Sequence, residues 1–185
     1  DMAHPSGLYL GTWGSNVNFG EAVLPRAQVE LDAYGGFATS LFDVATIDIG
    51  AIYYAYPGAG EDREYDYVEL TLGLSRSLGP VAVGLSAKYS SEFFAATGEA
   101  LYASASLDVP MSFLTISGTL GNQTIEDNDL WGTPDYLDWG IGASTGWGGM
   151  TFGAQVVGTD LEEDECFGGT TYCSTRGVFM VSRAL

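Results

Sequence analysis

The fold class follows from residues 139–159, WGIGASTGWGGMTFGAQVVGT, a stretch without a charged side chain. A segment of about 20 apolar residues is long enough to cross a bilayer as a helix. The seven glycines in the stretch argue against a helix, because each one costs a helix interior up to about 1 kcal/mol. Apolar and small residues instead alternate with a period of two on either side of Gly148 and Gly149. This alternation predicts two β-strands joined by a tight turn.

The same two-residue period recurs along the rest of the chain. The clearest other segments are 29–34, 47–55, 68–75, 81–88, 101–108 and 114–120. In all, about ten strands are predicted, and several approach the 9–11 residues of a strand that spans a bilayer. The chain is therefore predicted to be all-β, with residues 1–185 forming a single domain.

Composition excludes several classes of function. The 185 residues include 24 acidic and 6 basic side chains, giving a net charge of −18. Six scattered cations cannot neutralise a run of phosphates, so no nucleic-acid partner is expected. The 13% aromatic content favours a folded domain over a disordered one. A single histidine provides no set of catalytic partners, so we expect neither an enzyme nor a cofactor.

The polar positions of the alternating segments carry mostly glycine, serine, threonine and tyrosine. Small residues of this kind suit the interior of a narrow barrel, while the apolar positions face lipid. The mean hydropathy is +0.10 despite the large net charge, which a lipid-facing belt explains better than a water-facing surface. We therefore predict an antiparallel up-and-down transmembrane β-barrel. A soluble barrel that binds a small apolar ligand is the weaker alternative.

The predicted connections alternate between short and long. Short ones lie at 40–44, 78–80, 109–112 and 148–149, and long ones at 18–27, 57–65, 92–98, 122–135 and 159–175. Outer-membrane barrels show this rhythm, with short periplasmic turns on one rim and longer external loops on the other. Aromatic residues at both strand ends predict two lipid-facing girdles, with ordinary core packing as the alternative. They are Tyr56, Tyr65, Tyr67, Tyr89, Phe93 and Phe94 at the loops, and Phe37, Phe42, Trp147 and Phe152 at the turns.

The cysteine inventory consists of Cys166 and Cys173, seven residues apart in a polar, glycine-containing stretch. An even count within a predicted surface loop favours a loop-closing disulfide and an oxidising compartment. Two reduced thiols are the alternative. A zinc site is not expected, since zinc needs about four ligands and no histidine is near.

Four runs of sequence resemble the TorF-like family of bacterial outer-membrane porins, whose domain is of the Gcw_chp type. They are GLYLGTWGSNV (7–17), VELDAYGGF (29–37), IGAIYYAYPG (49–58) and YDYVEL (65–70). The resemblance implies a Gram-negative outer-membrane β-barrel that passes small solutes. Family members carry a further segment ahead of these runs. The resemblance therefore implies that this chain lacks one to two amino-terminal strands of a barrel of about twelve.

One set of charged residues shares the parity of the small polar positions and is predicted to face the lumen. The set comprises Glu30, Asp32, Asp48, Glu69, Lys88, Asp108 and Asp138. Carboxylates that line a narrow passage favour cations over anions, so a conducting, cation-preferring lumen is one hypothesis. The other is a closed lumen in which these side chains hydrogen-bond across the interior.

Acidic clusters in the predicted external loops suggest further partners. The clusters are at 61–62, 126–129 and 162–165. Carboxylate oxygens could hold divalent cations and bridge to lipopolysaccharide or a partner protein, although a solvated acidic face is the alternative. The sequence thus predicts a protein of the bacterial outer membrane that contacts lipid, lipopolysaccharide and small solutes or cations. A homo-oligomer stays open as a possibility.

Overall fold

The computed structural model describes residues 1–17, 27–42, 44–59, 64–167 and 169–183. These residues form one eleven-stranded sheet in which each strand lies beside its neighbours in sequence. Every strand pair is antiparallel. The strands are β1 (Met2–Ala3), β2 (Leu8–Asn16), β3 (Val29–Leu41), β4 (Ala45–Ala55), β5 (Tyr67–Leu78), β6 (Val81–Ser90), β7 (Ala100–Pro110), β8 (Thr115–Ile125), β9 (Tyr136–Trp147), β10 (Met150–Thr159) and β11 (Arg176–Ser182).

This arrangement confirms the predicted all-β, antiparallel up-and-down architecture. The one strand beyond the ten predicted is the short β1, whose two residues pair with Tyr9 and Leu10. The predicted rhythm of connections is also confirmed, because the short turns after β3, β5, β7 and β9 alternate with longer loops. We call the end of the sheet where the short turns join the strands the turn end, and the opposite end, where the longer loops join them, the loop end. The predicted count of about twelve strands in a longer chain stays a prediction.

Among the residues that the structure describes, helical structure lies only in the loops. It consists of α1 (Asn128–Trp131) and two short 3₁₀ turns, Phe94–Ala96 and Glu163–Glu165. None of the helices that the described residues form has the length and apolarity needed to cross a membrane.

The strand register gives the sheet two chemically different faces. Leu70, Leu72 and Leu74 of β5 pair with Tyr89, Ala87 and Leu85 of β6, so apolar side chains line up on one face. Most of the large apolar side chains on this face are half-exposed, although they stand in the middle of long strands. Such a surface is far larger than the apolar patches of soluble monomers, and its pattern is typical of a lipid-facing belt. The opposite face is polar.

Buried apolar residues gather at the loop end instead of within the sheet. One cluster consists of Ala27, Tyr56 and Tyr65, and a second consists of Phe93, Ala100 and Ile125. The sheet therefore depends on its main-chain hydrogen bonds and polar contacts over most of its length, and on apolar packing where the loops meet it.

Candidate functional site on the polar face

All seven charged residues predicted to face a lumen lie on the polar face of the sheet. The register shows this strand by strand: Lys88 pairs with Thr71, two residues from Glu69, while Asp108 pairs with Ser117. Asp138 pairs with Gly121 and Thr159, and Asp48 pairs with Gly73. The structure thus gives these side chains a common face, and their role in ion selectivity stays a prediction.

A charged network occupies this face near the loop end. Tyr54 donates a 2.7 Å hydrogen bond to Glu69, whose side chain is almost fully buried. The Lys88 ammonium lies 3.6 Å from the same Glu69 oxygen and 3.5 Å from the Tyr54 hydroxyl. Because Glu69 is buried, its charge depends on Lys88 for compensation.

Two further carboxylates leave this network with an excess of negative charge. Asp32 experiences the charges of Glu30, Lys88 and Glu69, and its Oδ1 atom is buried without a hydrogen-bond partner among the described residues. Glu30 also acts on Tyr56, which follows β4. Three carboxylates thus share one ammonium, and we call these residues, together with Tyr54, the charged network.

Tyrosines bridge three strands at a time elsewhere on the polar face. Tyr102 on β7 lies over Gly121 on β8 and donates a 3.2 Å hydrogen bond to Asp138 on β9. Tyr9 lies over Gly36 in the same way and donates a 2.7 Å hydrogen bond to Asp48. We call each such arrangement a tyrosine slot. A third joins Tyr34, Gly11 and Asp1.

Each slot requires glycine on the middle strand. A Cβ atom at Gly36 would lie 2.5 Å from the Tyr9 hydroxyl, and one at Gly121 would overlap both Tyr102 and Asp138. Gly118, on the other face of β8, has open space around the same position. The high glycine content of the chain thus has a specific cause at these sites, which parity alone did not reveal.

Small side chains leave the polar face less crowded toward the turn end. Ser86 and Ser104 share a 2.7 Å hydrogen bond, and Ser117 donates a 2.6 Å hydrogen bond to Asp108. A cavity of about 170 Å³ opens between Asp48 and these serines. On β6–β8 the face therefore carries Tyr102 nearer the loop end and small serines nearer the turn end.

Aromatic side chains from several loops cover the loop end, and we call them the aromatic cap. Ring centroids lie 4.7 Å apart for Tyr67 and Phe93, 5.4 Å for Phe93 and Trp131, and 5.3 Å for Trp131 and Phe167. The other members are Tyr56, Tyr65 and Phe94. Burial in the cap, followed by the nearby Glu30 carboxylate, raises the pKa of Tyr56 above its ordinary value.

The cap corrects one prediction. Tyr56, Tyr65 and Phe93 were expected in a lipid-facing girdle, but each is less than one-tenth exposed and packs on the polar-face side. Their loops fold over the sheet because aromatic rings gain more by burying one another than by lying in water. Tyr89 does lie on the apolar face, paired with Leu101.

The predicted disulfide between Cys166 and Cys173 is confirmed and closes part of the loop between β10 and β11. Arg176 holds the same loop, since its guanidinium donates to the carbonyl oxygens of Thr171 and Tyr172. Phe167, next to the disulfide, donates its main-chain N–H to the buried Thr133 hydroxyl, 3.0 Å away. The disulfide loop is therefore anchored to the aromatic cap.

Comparison with known proteins places the chain in a family. The profile described as "Bacterial protein of unknown function (Gcw_chp)" matches residues 1–184. This chain belongs to the Gcw_chp family. The narrower TorF-like label stays a prediction, and no curated protein matches this Gcw_chp chain.

A solved porin, titled "Structure of porin refined at 1.8 Ångströms resolution", shares the fold of the Gcw_chp chain. The TM-score is 0.51 at 15% sequence identity, and the match covers 88% of this chain and 56% of the porin. The Gcw_chp chain thus spans little more than half the length of that porin, and at this identity the likeness shows the fold alone.

The acidic loops of the Gcw_chp chain use several of their carboxylates to hold the main chain. Glu126 accepts from the Glu99 N–H, Asp160 accepts from the Leu137 N–H, and Glu165 accepts from the Glu162 N–H. Within the described parts of the chain, no group of three or more metal-ligating side chains is close enough to hold a metal ion. The acidic cluster at 61–62 lies outside the described residues.

Proposed function

We propose that this Gcw_chp chain forms a porin-like β-barrel of the bacterial outer membrane, through which small solutes diffuse passively with a preference for cations. The observation that carries the proposal is the pairing of an apolar outer face with a polar face whose charged network holds three carboxylates and one ammonium. The porin-like fold supports the same conclusion. Expected partners are outer-membrane lipid, lipopolysaccharide and small solutes, and no enzymatic activity is proposed.

Electrostatics supplies the direction of the preference. Lys88 lies 3.6 Å from Glu69, and the charges of Glu30, Glu69 and Lys88 all act on Asp32. With three carboxylates against one ammonium, a cation that passes the network meets a net attraction and an anion a net repulsion. Two unit charges about 4 Å apart interact with an energy of about 1 kcal/mol in water, and with a larger energy where water is partly excluded. That energy corresponds to a factor of about 5 in occupancy.

Removal of the negative charges of Glu30 and Asp32 is expected to lower the preference for cations over anions by at least about fivefold. The variant is Glu30→Gln with Asp32→Asn, and the measurement is the reversal potential of the purified protein in a planar bilayer under a KCl gradient. Asp129→Asn, in the first turn of α1, is the matched control, because it removes an exposed acidic charge that is not a member of the charged network. An unchanged reversal potential in the double variant would contradict the assignment of these two carboxylates.

The aromatic cap favours a second candidate function, a closed barrel with a structural or binding role. Trp131 touches Phe93, Phe94 and Phe167, so the cap is a continuous layer of rings over the loop end. In this second proposal the acidic external loops bind cations, lipopolysaccharide or a partner protein, and the polar face conducts little.

Trp131→Ala is expected to raise the single-channel conductance, because it removes the ring that joins three others in the cap. Trp147→Ala is the matched control, since Trp147 is 78% exposed on the apolar face at the turn end. A silent native protein with a conducting Trp131→Ala variant would assign the cap as the obstruction. Equal conductance in all three proteins would show that the cap does not obstruct passage.

A further inference from the structure

A cavity of about 360 Å³ lies at the loop end, between the polar face of β7–β11 and the disulfide loop. The strand positions facing it include Tyr102, Asp138 and Val157, and the loop contributes residues 172–174. It is separate from the charged network, which lies on β3–β6. The disulfide and Arg176 fix the loop that forms its roof.

The walls combine aromatic rings with hydroxyl groups. Tyr102, Tyr136 and Tyr172 supply rings, and Thr119 and Thr159 supply hydroxyls. Thr159 already donates to the Cys173 carbonyl oxygen, 3.1 Å away, so this wall is held in place without a ligand. Ring faces and a few fixed polar groups are the usual lining of a small-molecule site.

The charges of the cavity are balanced, unlike those of the charged network. Asp138 is its carboxylate, and Arg176 is its guanidinium. The Arg176 side chain is committed to the main-chain carbonyls of the loop, including Thr171 and Ser174, so few of its donors remain for an anion. A balanced site of this kind favours a neutral ligand over an ion of either sign.

Asp138 leaves one hydrogen-bonding position unused. Its Oδ1 accepts from Tyr102, while its Oδ2 is buried and has no partner among the described residues. Buried acceptors are seldom left unpaired, because each unpaired polar group costs free energy. Asp138 also lines the cavity, so the residue that carries this unpaired acceptor borders the space available to a hydroxyl donor.

We propose that this cavity binds a neutral polyhydroxylated ring of monosaccharide size. Hydroxyl donors of such a ring satisfy Asp138, and its C–H face packs on the tyrosine rings. At about 360 Å³, the cavity lies within the roughly 300–1,000 Å³ range of small-molecule sites. Binding at this cavity does not require conduction, so this proposal can be tested independently of the proposed porin activity.

The test is saturation-transfer NMR of D-glucose with the folded protein in detergent, with choline as a small cationic probe. Glucose is expected to give a saturable signal with a dissociation constant on the order of 1 mM, and choline none. No saturable glucose signal from the folded native protein, or a stronger signal from choline, would overturn the proposal.

Two variants locate the binding. Asp138→Asn keeps an acceptor for Tyr102 but removes the charge, and it is expected to weaken glucose binding about tenfold. Val157→Phe places an additional ring in the cavity and should weaken the signal. Asp164→Asn, an exposed carboxylate in the same loop, is the matched control and should bind as the native protein does. Heat-modifiable migration on a gel shows that both variants are folded. If folded Asp138→Asn and Asp164→Asn bind glucose equally well, the sugar binds elsewhere and the assignment is overturned.

Discussion

Leu72→Arg is expected to lower the free energy of unfolding in lipid vesicles by about 2–4 kcal/mol, the cost of a cation at the midplane of a membrane barrel. Leu72 stands in the middle of β5 on the apolar face and is 50% exposed. Leu78 ends the same strand on the same face with 51% exposure, so Leu78→Arg is a closely matched control. Near the interface, the expected cost falls to about 0–1 kcal/mol.

The measurement is urea unfolding in vesicles, followed by tryptophan fluorescence. If water bathed the apolar face, both substitutions would be surface changes and would agree within about 0.5 kcal/mol. Equal stabilities would therefore contradict the membrane assignment directly, since burial in the sheet and side-chain type are the same at both positions.

The second large effect is expected at Gly121, the middle residue of a tyrosine slot. Gly121→Ala would place a Cβ atom against Tyr102 and Asp138, so one of them must move and their hydrogen bond is lost. Overpacking of this kind costs about 1–3 kcal/mol. Gly118→Ala makes the same change three residues earlier on β8, where no atom lies within 4 Å.

Vesicle unfolding midpoints of the two alanine variants test this expectation. Gly118→Ala should match the native protein or exceed it slightly, because alanine restricts the unfolded chain. If Gly121→Ala unfolds at the same urea concentration as Gly118→Ala, the slot makes no net contribution to stability.

Two-residue alternation was sufficient to predict the strands, their faces and the rhythm of their connections. The parity of Asp32 or Asp108 depends only on its own strand, so a single sequence determines which face each side chain takes. The disulfide was also accessible, because Cys166 and Cys173 are close in sequence and share one loop.

Side-chain contacts between strands could not be predicted from the sequence in the same way. Tyr9 and Asp48 are 39 residues apart, and their meeting depends on the register of β2, β3 and β4 together. Nor does a loop have a period that tells whether Tyr65 or Phe93 points to lipid or folds back over the sheet. Such loops form the aromatic cap and the roof of the 360 Å³ cavity, which is why neither was predicted.

The tyrosine slots bear on how the sheet is assembled. A slip of β8 by two residues would keep its faces correct but would bring Thr119 or Gln123 beneath Tyr102 in place of Gly121. Neither side chain leaves space for the ring, so the slipped pairing loses both its packing and the bond to Asp138. Each slot therefore favours the native register over a slip of two residues.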